Sequence, residues 1–262
     1  MNLGYEGEVA LIAASSKGLG RATAHAIAAE GASVMLTSRD ESTLEKTARE
    51  IGESTGSKVS CEPADLTRAE DISRLLEKTR EDLGPVSVLV TNSGGPPAGR
   101  FDALDDEAWR GAFELNLMSA VRLIRETLPH MRERGYGRIV NLTSSSIQQP
   151  IDGLLLSNVF RVGVLGLSKS LSVELASDGI LVNTLGPGRI HTNRTDSLDG
   201  ARAEREGITK EAVREKSEAT IPLGRYGEPR EFGQVAAFLA SPANTYVTGQ
   251  ALLADGGMVK AL

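Results

Sequence analysis

Short apolar runs alternate along the chain with longer segments in which apolar residues recur at helical spacing. Several of the short runs are apolar almost throughout, as strands covered on both faces are, and this predicts a parallel sheet. Seven runs have the length and composition of strands, namely Val9–Ala14, Ser33–Ser38, Val59–Ala64, Val86–Asn92, Arg138–Ser144, Ile180–Leu185 and Ala251–Ala254. Six segments between them have the spacing of helices, namely Gly18–Glu30, Glu41–Gly52, Ala69–Leu83, Asp105–Glu133, Leu154–Ser177 and Pro229–Leu239.

The alternation of strands and helices predicts one α/β domain that spans residues 1–262. Right-handed crossovers would give a doubly wound, Rossmann-type parallel sheet of about seven strands with helices on both faces. Such folds bind ligands beyond the carboxyl ends of the strands, where the strand order reverses. The segment Arg189–Pro222 breaks the pattern because it is long, charged and irregular. We expect a substrate lid there, with at most one or two short helices around Glu211–Ala219.

Composition narrows the class of protein. The net charge of −6 argues against nucleic acid as a partner, because phosphate backbones require a basic surface. The single cysteine, Cys61, excludes an internal disulfide, and no metal-ligand spacing surrounds it, so we expect no metal site. No apolar run approaches the roughly 20 residues of a membrane-spanning helix, and the first residues lack the pattern of a signal peptide. These features predict a cytoplasmic protein without a membrane partner.

A glycine-containing turn joins the first predicted strand to the first predicted helix. Gly18 and Gly20 lack Cβ atoms, so the backbone can approach a pyrophosphate and the helix can lie close to the strand. The beginning of the helix also offers unpaired N–H groups and the positive end of its dipole to phosphates. The turn therefore predicts a dinucleotide site whose contacts are Ser15, Lys17, Gly18, Leu19 and Gly20.

Polar residues at the ends of the next strands extend this site. The second strand is followed by Arg39, with Lys17 across the loop, and two cations at that corner favour the 2′-phosphate of NADP over NAD. NAD stays possible if the carboxylate of Asp40, rather than Arg39, faces the ribose. Asp65 and Asn92 end the third and fourth strands, where such residues often serve only as caps or turn formers. Their occurrence at one edge of the sheet favours a role in binding the cofactor.

Motifs in order along the chain resemble those of the short-chain dehydrogenase/reductase family, most closely the 3-oxoacyl carrier-protein reductase branch. They are Gly18-Leu19-Gly20, Ala64-Asp65-Leu66, Asn92-Ser93-Gly94-Gly95, Asn116, Arg138–Ser144, Pro187-Gly188, Thr192 and Ala254–Gly257. The resemblance implies that Asp65 and Leu66 hold the adenine region, Asn92 and Gly94 the ribose side, and Pro187, Gly188 and Thr192 the nicotinamide end. Ala14 stands where the family's first loop has glycine, so we expect that loop to be slightly shifted.

The same resemblance implies a catalytic serine, tyrosine and lysine with a supporting asparagine. Ser144 matches the serine and Asn116 the asparagine, although a polar residue between leucines could also be a satisfied core amide. The family's tyrosine and lysine positions are Ser157 and Arg161 here, on one helix face one turn apart. We expect Arg161 to hold the nicotinamide ribose and Asn116 to support a water relay. The proton would come through Ser157 and water, from the substrate, or from another residue; His191 and Tyr226 are candidates.

These residues predict an NADP(H)-dependent oxidoreductase that interconverts a carbonyl and an alcohol of a small molecule, slowly because the usual general acid is absent. A nucleotide-binding sensor or scaffold without redox turnover is the alternative, favoured by the missing tyrosine and lysine. A lyase that binds no nucleotide fits less well, because the glycine-containing turn is intact. The family resemblance also implies a homotetramer or homodimer formed through the predicted helices Asp105–Glu133 and Leu154–Ser177.

Overall fold

The seven apolar runs form the strands of one parallel sheet in the structure, a computed structural model that describes residues 2–261. The strand order is β3-β2-β1-β4-β5-β6-β7, and every neighbouring pair is parallel. This confirms the predicted doubly wound fold. The strands are β1 (Val9–Ile12), β2 (Ser33–Ser38), β3 (Val59–Pro63), β4 (Val88–Thr91), β5 (Gly137–Leu142), β6 (Ile180–Pro187) and β7 (Ala251–Ala254).

Helices cover both faces of the sheet, because successive side chains of a strand point to opposite sides. In β1, Ala10 and Ile12 pack into the cluster beneath α1, α2 and α9, whereas Leu11 packs into the cluster beneath α3, α5 and α6. The helices are α1 (Gly18–Ala29), α2 (Glu41–Thr55), α3 (Ala69–Asp82), α4 (Asp106–Phe113), α5 (Ser119–Arg134), α6 (Leu155–Glu174), α7 (Asn193–Glu206), α8 (Lys210–Glu218) and α9 (Pro229–Leu239). Among residues 2–261, no helix combines the length and apolar character that crossing a bilayer requires.

The reversal of strand order creates the crevice in which such folds bind ligands. β1 pairs with β2 on one side and with β4 on the other, with Ala10 opposite both Val34 and Val88. The chain therefore leaves β1 and β4 in opposite directions across the sheet, and a gap opens between their carboxyl ends. The sequence motifs for nucleotide binding follow these two strands.

Three predicted boundaries need correction. The strand expected to reach Ala14 ends at Ile12, and the one expected to reach Ser144 ends at Leu142, because the chain turns there towards the crevice. The single helix predicted over Asp105–Glu133 is divided by a π-helical turn, Glu114–Met118, between α4 and α5. Widened turns of this kind occur mostly at functional sites, and this one carries Asn116.

The segment Arg189–Pro222 is more helical than the sequence indicates. Two helices lie in it, but α7 has 14 residues and begins well before the expected helix around Glu211–Ala219. The prediction of only short helices was wrong, because α7 buries few residues and therefore lacks an apolar stripe; its buried positions are Asp199 and Ala203.

Candidate active site

One large cavity of about 1410 Å³ lies at the carboxyl edge of the sheet. The turns that follow β1 to β6 contribute to its wall, together with the first turns of α6 and α7. Most of the predicted site residues line it, namely Lys17, Gly18, Leu19, Arg39, Asp65, Leu66, Asn92, Gly94, Ser144, Ser157, Pro187, Gly188 and Thr192. The motifs that are scattered through the sequence thus meet in one place.

The turn after β1 has the geometry that a pyrophosphate requires. Gly18 has a φ of 59°, a left-handed value that favours glycine. A Cβ on Gly20 would lie 2.3 Å from the carbonyl oxygen of Ala14, so helix and strand can approach only with glycine there. Lys17, at the beginning of α1, forms no side-chain cap, and the first turn of α1 holds no acidic residue. Its N–H groups are therefore suited to an anionic ligand.

Ala14, which stands where the family has glycine, adopts a left-handed conformation in this turn. It is the non-glycine residue with positive φ in the described chain, at 47°. A β-carbon in this region costs free energy, so the turn carries strain that glycine would not. Asn92 supports the strained residue, because its Nδ2 donates to the Ala14 carbonyl oxygen at 3.2 Å.

Two predicted cofactor contacts serve the structure of the turn and do not line the cavity. Ser15 is fully buried; its Oγ donates to the Ile12 carbonyl at 2.8 Å and accepts from Thr37 N at 3.0 Å. Gly20 faces the backbone of Ala14. Ser16, which sequence reasoning did not select, lines the cavity instead, because the turn rotates the neighbouring residue towards it.

The corner beyond β2 holds the two predicted cations, with the carboxylates of Asp40 and Glu41 beside them along the cavity. Arg39 and Lys17 are exposed and line the cavity. The carboxylate of Asp40 caps α2 by accepting from Thr43 N at 2.9 Å and Ser42 Oγ at 3.1 Å. The Thr43 hydrogen bond is the main cause that lowers the pKa of Asp40, and the charge of Lys17 adds to it. Asp40 therefore remains an anion that is committed to the helix cap.

The polar residues after β3 and β4 stabilise their own turns while they line the cavity. Asp65 Oδ1 accepts from Thr67 N at 3.0 Å and from Thr67 Oγ1 at 2.8 Å, which closes a turn. Asn92 is held by Ala14, as described above. Both alternatives considered from the sequence, turn former and cofactor contact, are thus compatible with the position of each residue.

The far end of the cavity holds two serine hydroxyls. Ser144 follows β5, and its Oγ accepts from Ser146 N at 3.1 Å. Because the lone pair is used in this way, the hydroxyl proton remains available to a ligand. Ser157 lies in the first turn of α6 and lines the same wall, with 9% of its surface exposed. No tyrosine in the described part of the chain lines the cavity.

Arg161 and Asn116 lie behind this wall instead of lining it. Arg161 is buried, and its Nη1 and Nη2 donate to the carbonyls of Leu142 at 3.1 Å and Ser93 at 3.3 Å. Asn116 Nδ2 donates to Ser93 Oγ at 2.7 Å and to Gly94 O at 3.1 Å. These contacts differ from the expectation that Arg161 grips a ribose, because the guanidinium is engaged with backbone carbonyls of the strand ends. Both residues frame the loop after β4.

Two features indicate that Arg161 and Asn116 do more than pack: the pKa of Arg161 is lowered, and a polar atom of Asn116 is unpaired. Burial, and to a lesser extent the positive charge of Arg194, lowers the pKa of Arg161 to about 10. The side-chain oxygen of Asn116 is buried and lacks a hydrogen-bond partner in the described structure. An unpaired buried oxygen costs free energy, and a water molecule at this place would satisfy it.

The wall opposite the glycine turn is formed by the segment after β6. Gly188 lies against Asp255, where a Cβ would come within 2.5 Å of the aspartate Cβ, so the close approach requires glycine. Thr192 Oγ1 caps α7 by accepting from Thr195 N at 3.3 Å. The Thr192 methyl lies 3.8 Å from the position of a Cβ on Gly18, so the two walls almost meet there.

The other candidate acids are committed elsewhere. Tyr226 is buried, and its hydroxyl donates at 2.9 Å to Asp199, which also accepts from Arg189 at 2.7 Å. Burial is the main cause that raises the pKa of Tyr226. His191 packs on the Tyr226 ring and lies 3.1 Å from Arg214 Nη2. Neither residue lines the main cavity, whereas Ser144 and Ser157 do.

Sequence reasoning missed two parts of the wall. The loop Gln149–Asp152 is fixed by Asn158, whose side chain accepts from Ile151 N at 3.1 Å and donates to Ile151 O at 3.0 Å. Arg194, in the first turn of α7, also lines the cavity. Neither has a signal in the spacing of residues, because both reach the site through loops whose course the pattern does not specify.

Comparison with known proteins extends over nearly the whole chain. A family model described as enoyl-(acyl carrier protein) reductase matches residues 13–259. The 3-oxoacyl-(acyl-carrier-protein) reductase of Vibrio cholerae is 34% identical over 258 residues, 98% of this chain and 99% of the relative. L-sorbose reductase from Gluconobacter frateurii, solved with NADPH and L-sorbose, has a TM-score of 0.94 and 33% identity over 100% of both chains. Actinorhodin polyketide ketoreductase with NADPH has a TM-score of 0.92 and 33% identity, over 96% of this chain and 97% of that one.

Proposed function

Because the chain belongs to the short-chain dehydrogenase/reductase family, we propose that it is an NADP(H)-dependent oxidoreductase with an altered catalytic site. It interconverts a carbonyl and an alcohol on a small molecule. The family assignment confirms the resemblance read from the motifs. The proposal of an altered site rests on the replacement of the usual tyrosine and lysine by Ser157 and Arg161.

One observation carries the proposal: a single continuous cavity joins the cationic corner at Arg39 to the hydroxyls of Ser144 and Ser157. A dinucleotide laid along it would have its phosphates at the beginning of α1 and its nicotinamide beside the two serines. The glycine at position 20 and the uncapped first turn of α1 fit such a ligand.

Specificity for the phosphorylated coenzyme is supported at the same corner. Arg39 and Lys17 offer positive charge, while the carboxylate of Asp40 is engaged at the beginning of α2. A carboxylate directed at the ribose would repel a 2′-phosphate, and here the nearest one is turned towards its helix. These residues favour NADPH over NADH.

When bound, NADPH supplies the hydride that the carbonyl carbon accepts. Ser144 is placed to polarise the carbonyl oxygen, because its hydroxyl proton is free to donate. Ser157 is the second hydroxyl donor beside Ser144, and it can pass a proton from water to the developing alkoxide. Neither hydroxyl is as acidic as a tyrosine, whose pKa is about 10, and the loss of a positioned general acid typically costs about 10²- to 10⁴-fold in rate. Turnover is therefore slow.

The test is consumption of NADPH, followed by absorbance, with a panel of ketones and with wild-type protein, Ser144→Ala and Ser170→Ala. Ser170 lies on the exposed side of α6 and serves as the matched control. We expect slow turnover by wild type and the control, and a loss of about 10²- to 10³-fold in Ser144→Ala, the usual cost of removing one donor to an oxyanion. The proposal would be contradicted if NADPH binds stoichiometrically but no ketone oxidises it, and NADP⁺ binds but no alcohol reduces it. That result would favour a nucleotide-binding protein without redox turnover.

A further inference from the structure

The arginines of the segment Arg189–Pro222 differ in what neutralises them. Arg189 pairs with the buried Asp199 at 2.7 Å, and this contact is partly buried. Arg202 and Arg214 pair with Glu206 and Glu218 on their own helices, at 2.6 and 2.9 Å. The hydrogen bond from Arg100 is the main cause that lowers the pKa of Asp152, and the charge of Arg205 adds to it.

Arg194, like Arg205, forms no ion pair in the described residues, but it differs from Arg205 in lining the cavity. Within residues 2–261, no carboxylate lies within 4 Å of its guanidinium. Its one hydrogen bond is donated by Nη2 to the carbonyl of Pro96 at 3.3 Å, which leaves most of its five N–H groups for a ligand. Partial burial lowers the pKa of Arg194, and no neighbouring acid raises it.

Arg194 lies near a second positive charge, that of Arg161. It lines the cavity at the end where Ser157 lies, and its charge acts on the buried Arg161 behind that wall. The hydrogen bonds of Arg161 go to neutral carbonyls, so its charge is also uncompensated. Two guanidiniums without a carboxylate attract an anion, and an arginine fork recognises a carboxylate or phosphate through two parallel hydrogen bonds.

The loop after β4 is shaped around this side chain. A Cβ on Gly95 would lie 2.6 Å from Nη2, 2.7 Å from Cζ and 2.8 Å from Nε of Arg194, so the guanidinium lies flat against the glycine. The φ of Gly95 is not positive, so glycine is not required by the backbone there. A side chain at position 95 would instead collide with the guanidinium of Arg194.

We propose that Arg194 binds a carboxylate or phosphate carried by the substrate, so that the physiological substrate is an anionic carbonyl compound or the corresponding hydroxy acid. This proposal deepens the proposed function and rests on it. The coenzyme is the other source of such an anion, but its phosphates are matched by the beginning of α1 at Lys17 and Gly18. Arg194 lies instead against Gly95 and Pro96, which follow β4.

The first experiment compares acids with their neutral counterparts. Acetoacetate, levulinate and dihydroxyacetone phosphate are paired with methyl acetoacetate, methyl levulinate and dihydroxyacetone, and kcat/KM is measured with NADPH. Wild type is expected to prefer at least one anion over its neutral counterpart by at least tenfold, and Arg194→Met to lose that preference mainly through KM. Arg202→Met, on the same helix and paired with Glu206, is the control and is expected to keep it. Equal or better use of every neutral counterpart by wild type would overturn the proposal.

Two further variants keep the test independent of folding defects. Gly95→Ala retains both charges but displaces the guanidinium, and Arg194→Lys retains the charge but loses the fork. Both are expected to reduce the preference for the anion, with melting temperatures near that of wild type. Retention of the full preference by Arg194→Met would overturn the assignment of the anion to this residue.

Binding measurements separate this proposal from the proposed function and from the coenzyme as source. Calorimetric titration of the three anions into protein saturated with NADP⁺ needs no turnover. Binding of an anion by wild type but not by Arg194→Met supports the proposal even if no ketone is reduced. If the protein neither turns over nor binds an anion, both this proposal and the proposed function are contradicted. Titration with NADPH alone is expected to give dissociation constants within twofold for the two proteins. A tenfold weaker NADPH complex in Arg194→Met would assign the anion to the coenzyme and overturn the proposal.

Discussion

Ser157 and Arg161 lie one helical turn apart on α6, but their surroundings differ. Ser157 faces the cavity, whereas Arg161 is buried and bonded to the carbonyls of Leu142 and Ser93. A guanidinium stays charged at working pH and does not move protons. Arg161 therefore acts as a fixed charge that holds two strand ends together, and only Ser157 is left to take part in proton transfer.

Restoring the family's residues tests this view. The double variant Ser157→Tyr/Arg161→Lys should increase kcat for ketone reduction by about 10²- to 10⁴-fold, because a lysine lowers the pKa of a nearby phenol towards working pH. Steady-state kinetics at saturating NADPH measure the gain, and Ser54→Tyr, on the exposed side of α2, is the control. If the folded double variant binds NADPH but is no faster than wild type, the missing acid does not limit the rate.

The cationic corner supports a second prediction at this scale. Arg39→Ala should weaken the binding of NADPH by about 10- to 100-fold, since one charge-assisted hydrogen bond contributes roughly 1.5–3 kcal/mol, and should change NADH binding little. Fluorescence titration with both coenzymes gives the ratio. Arg21→Ala is the control, because Arg21 is an exposed cation on α1 that pairs with Glu50. An equal loss for both coenzymes would place Arg39 away from the 2′-phosphate.

At the scale of elements, the turn between β1 and α1 combines strain with a close approach. Ala14→Gly should raise the free energy of unfolding by about 1 kcal/mol, because it removes a Cβ from a left-handed residue with φ of 47°. Gly20→Ala should destabilise the protein, since its Cβ would lie 2.3 Å from the Ala14 carbonyl oxygen. Urea unfolding measures both. A less stable Ala14→Gly protein would show that this turn is not strained.

The beginning of α9 gives a prediction for pH. Glu231 accepts from Glu228 N at 2.7 Å and from both terminal nitrogens of Arg225. The hydrogen bond from Arg225 is the main cause that lowers the pKa of Glu231 from 4.5 to about 2. A carboxyl with a lowered pKa stabilises the fold fully above its unfolded value, so its contribution is lost as the pH falls from 4.5 towards 2.

The variant Glu231→Gln should therefore be less stable than wild type at neutral pH and lose less stability between pH 4.5 and 2. Urea unfolding at a series of pH values gives the two slopes, and Glu215→Gln, on the exposed side of α8, is the control. Parallel curves for wild type and Glu231→Gln would show that this cap does not contribute to acid denaturation.

Hydrophobic periodicity was a good guide to these elements and a poor guide to their exceptions. The buried strands and α1 to α3 carry strong patterns, so their positions were predicted within a few residues. The π-helical turn around Asn116 does not change the helical spacing of apolar residues on either side, so the sequence pattern does not reveal it. The helix α7 is mostly polar, so its sequence has no apolar stripe from which a helix could be predicted. Local spacing could not predict either feature.

At the scale of the molecule, the sequence predicted which segments meet but not how each side chain is used. Parallel strands bring their carboxyl ends to one edge, so residues after β1 to β6 had to be neighbours. Ser15 and Arg161 were expected to contact the coenzyme, but hydrogen bonds to backbone carbonyls hold them in the frame instead. The position of Arg194 depends on the path of the segment Arg189–Pro222, which has no simple sequence pattern.

Assembly is a further prediction of the family resemblance. Val159 and Val162 on α6 and Phe113 on α4 are exposed apolar residues on the helices expected to form the seam of a homotetramer or homodimer. Light scattering after size exclusion should show an oligomer for wild type and smaller species for Val162→Asp. Lys46→Asp, on the exposed side of α2, should leave the mass unchanged. A monomeric wild-type protein would contradict the expectation.

The central claim is that the cavity along the carboxyl edge holds the phosphorylated dinucleotide, and a crystal structure with saturating NADP⁺ tests it most directly. We predict the pyrophosphate at the N–H groups around Lys17 to Leu19, the 2′-phosphate beside Arg39, and the nicotinamide next to Ser144 and Ser157. A cavity that stays empty of coenzyme in such crystals, or that is filled by the protein's own side chains, would contradict the account.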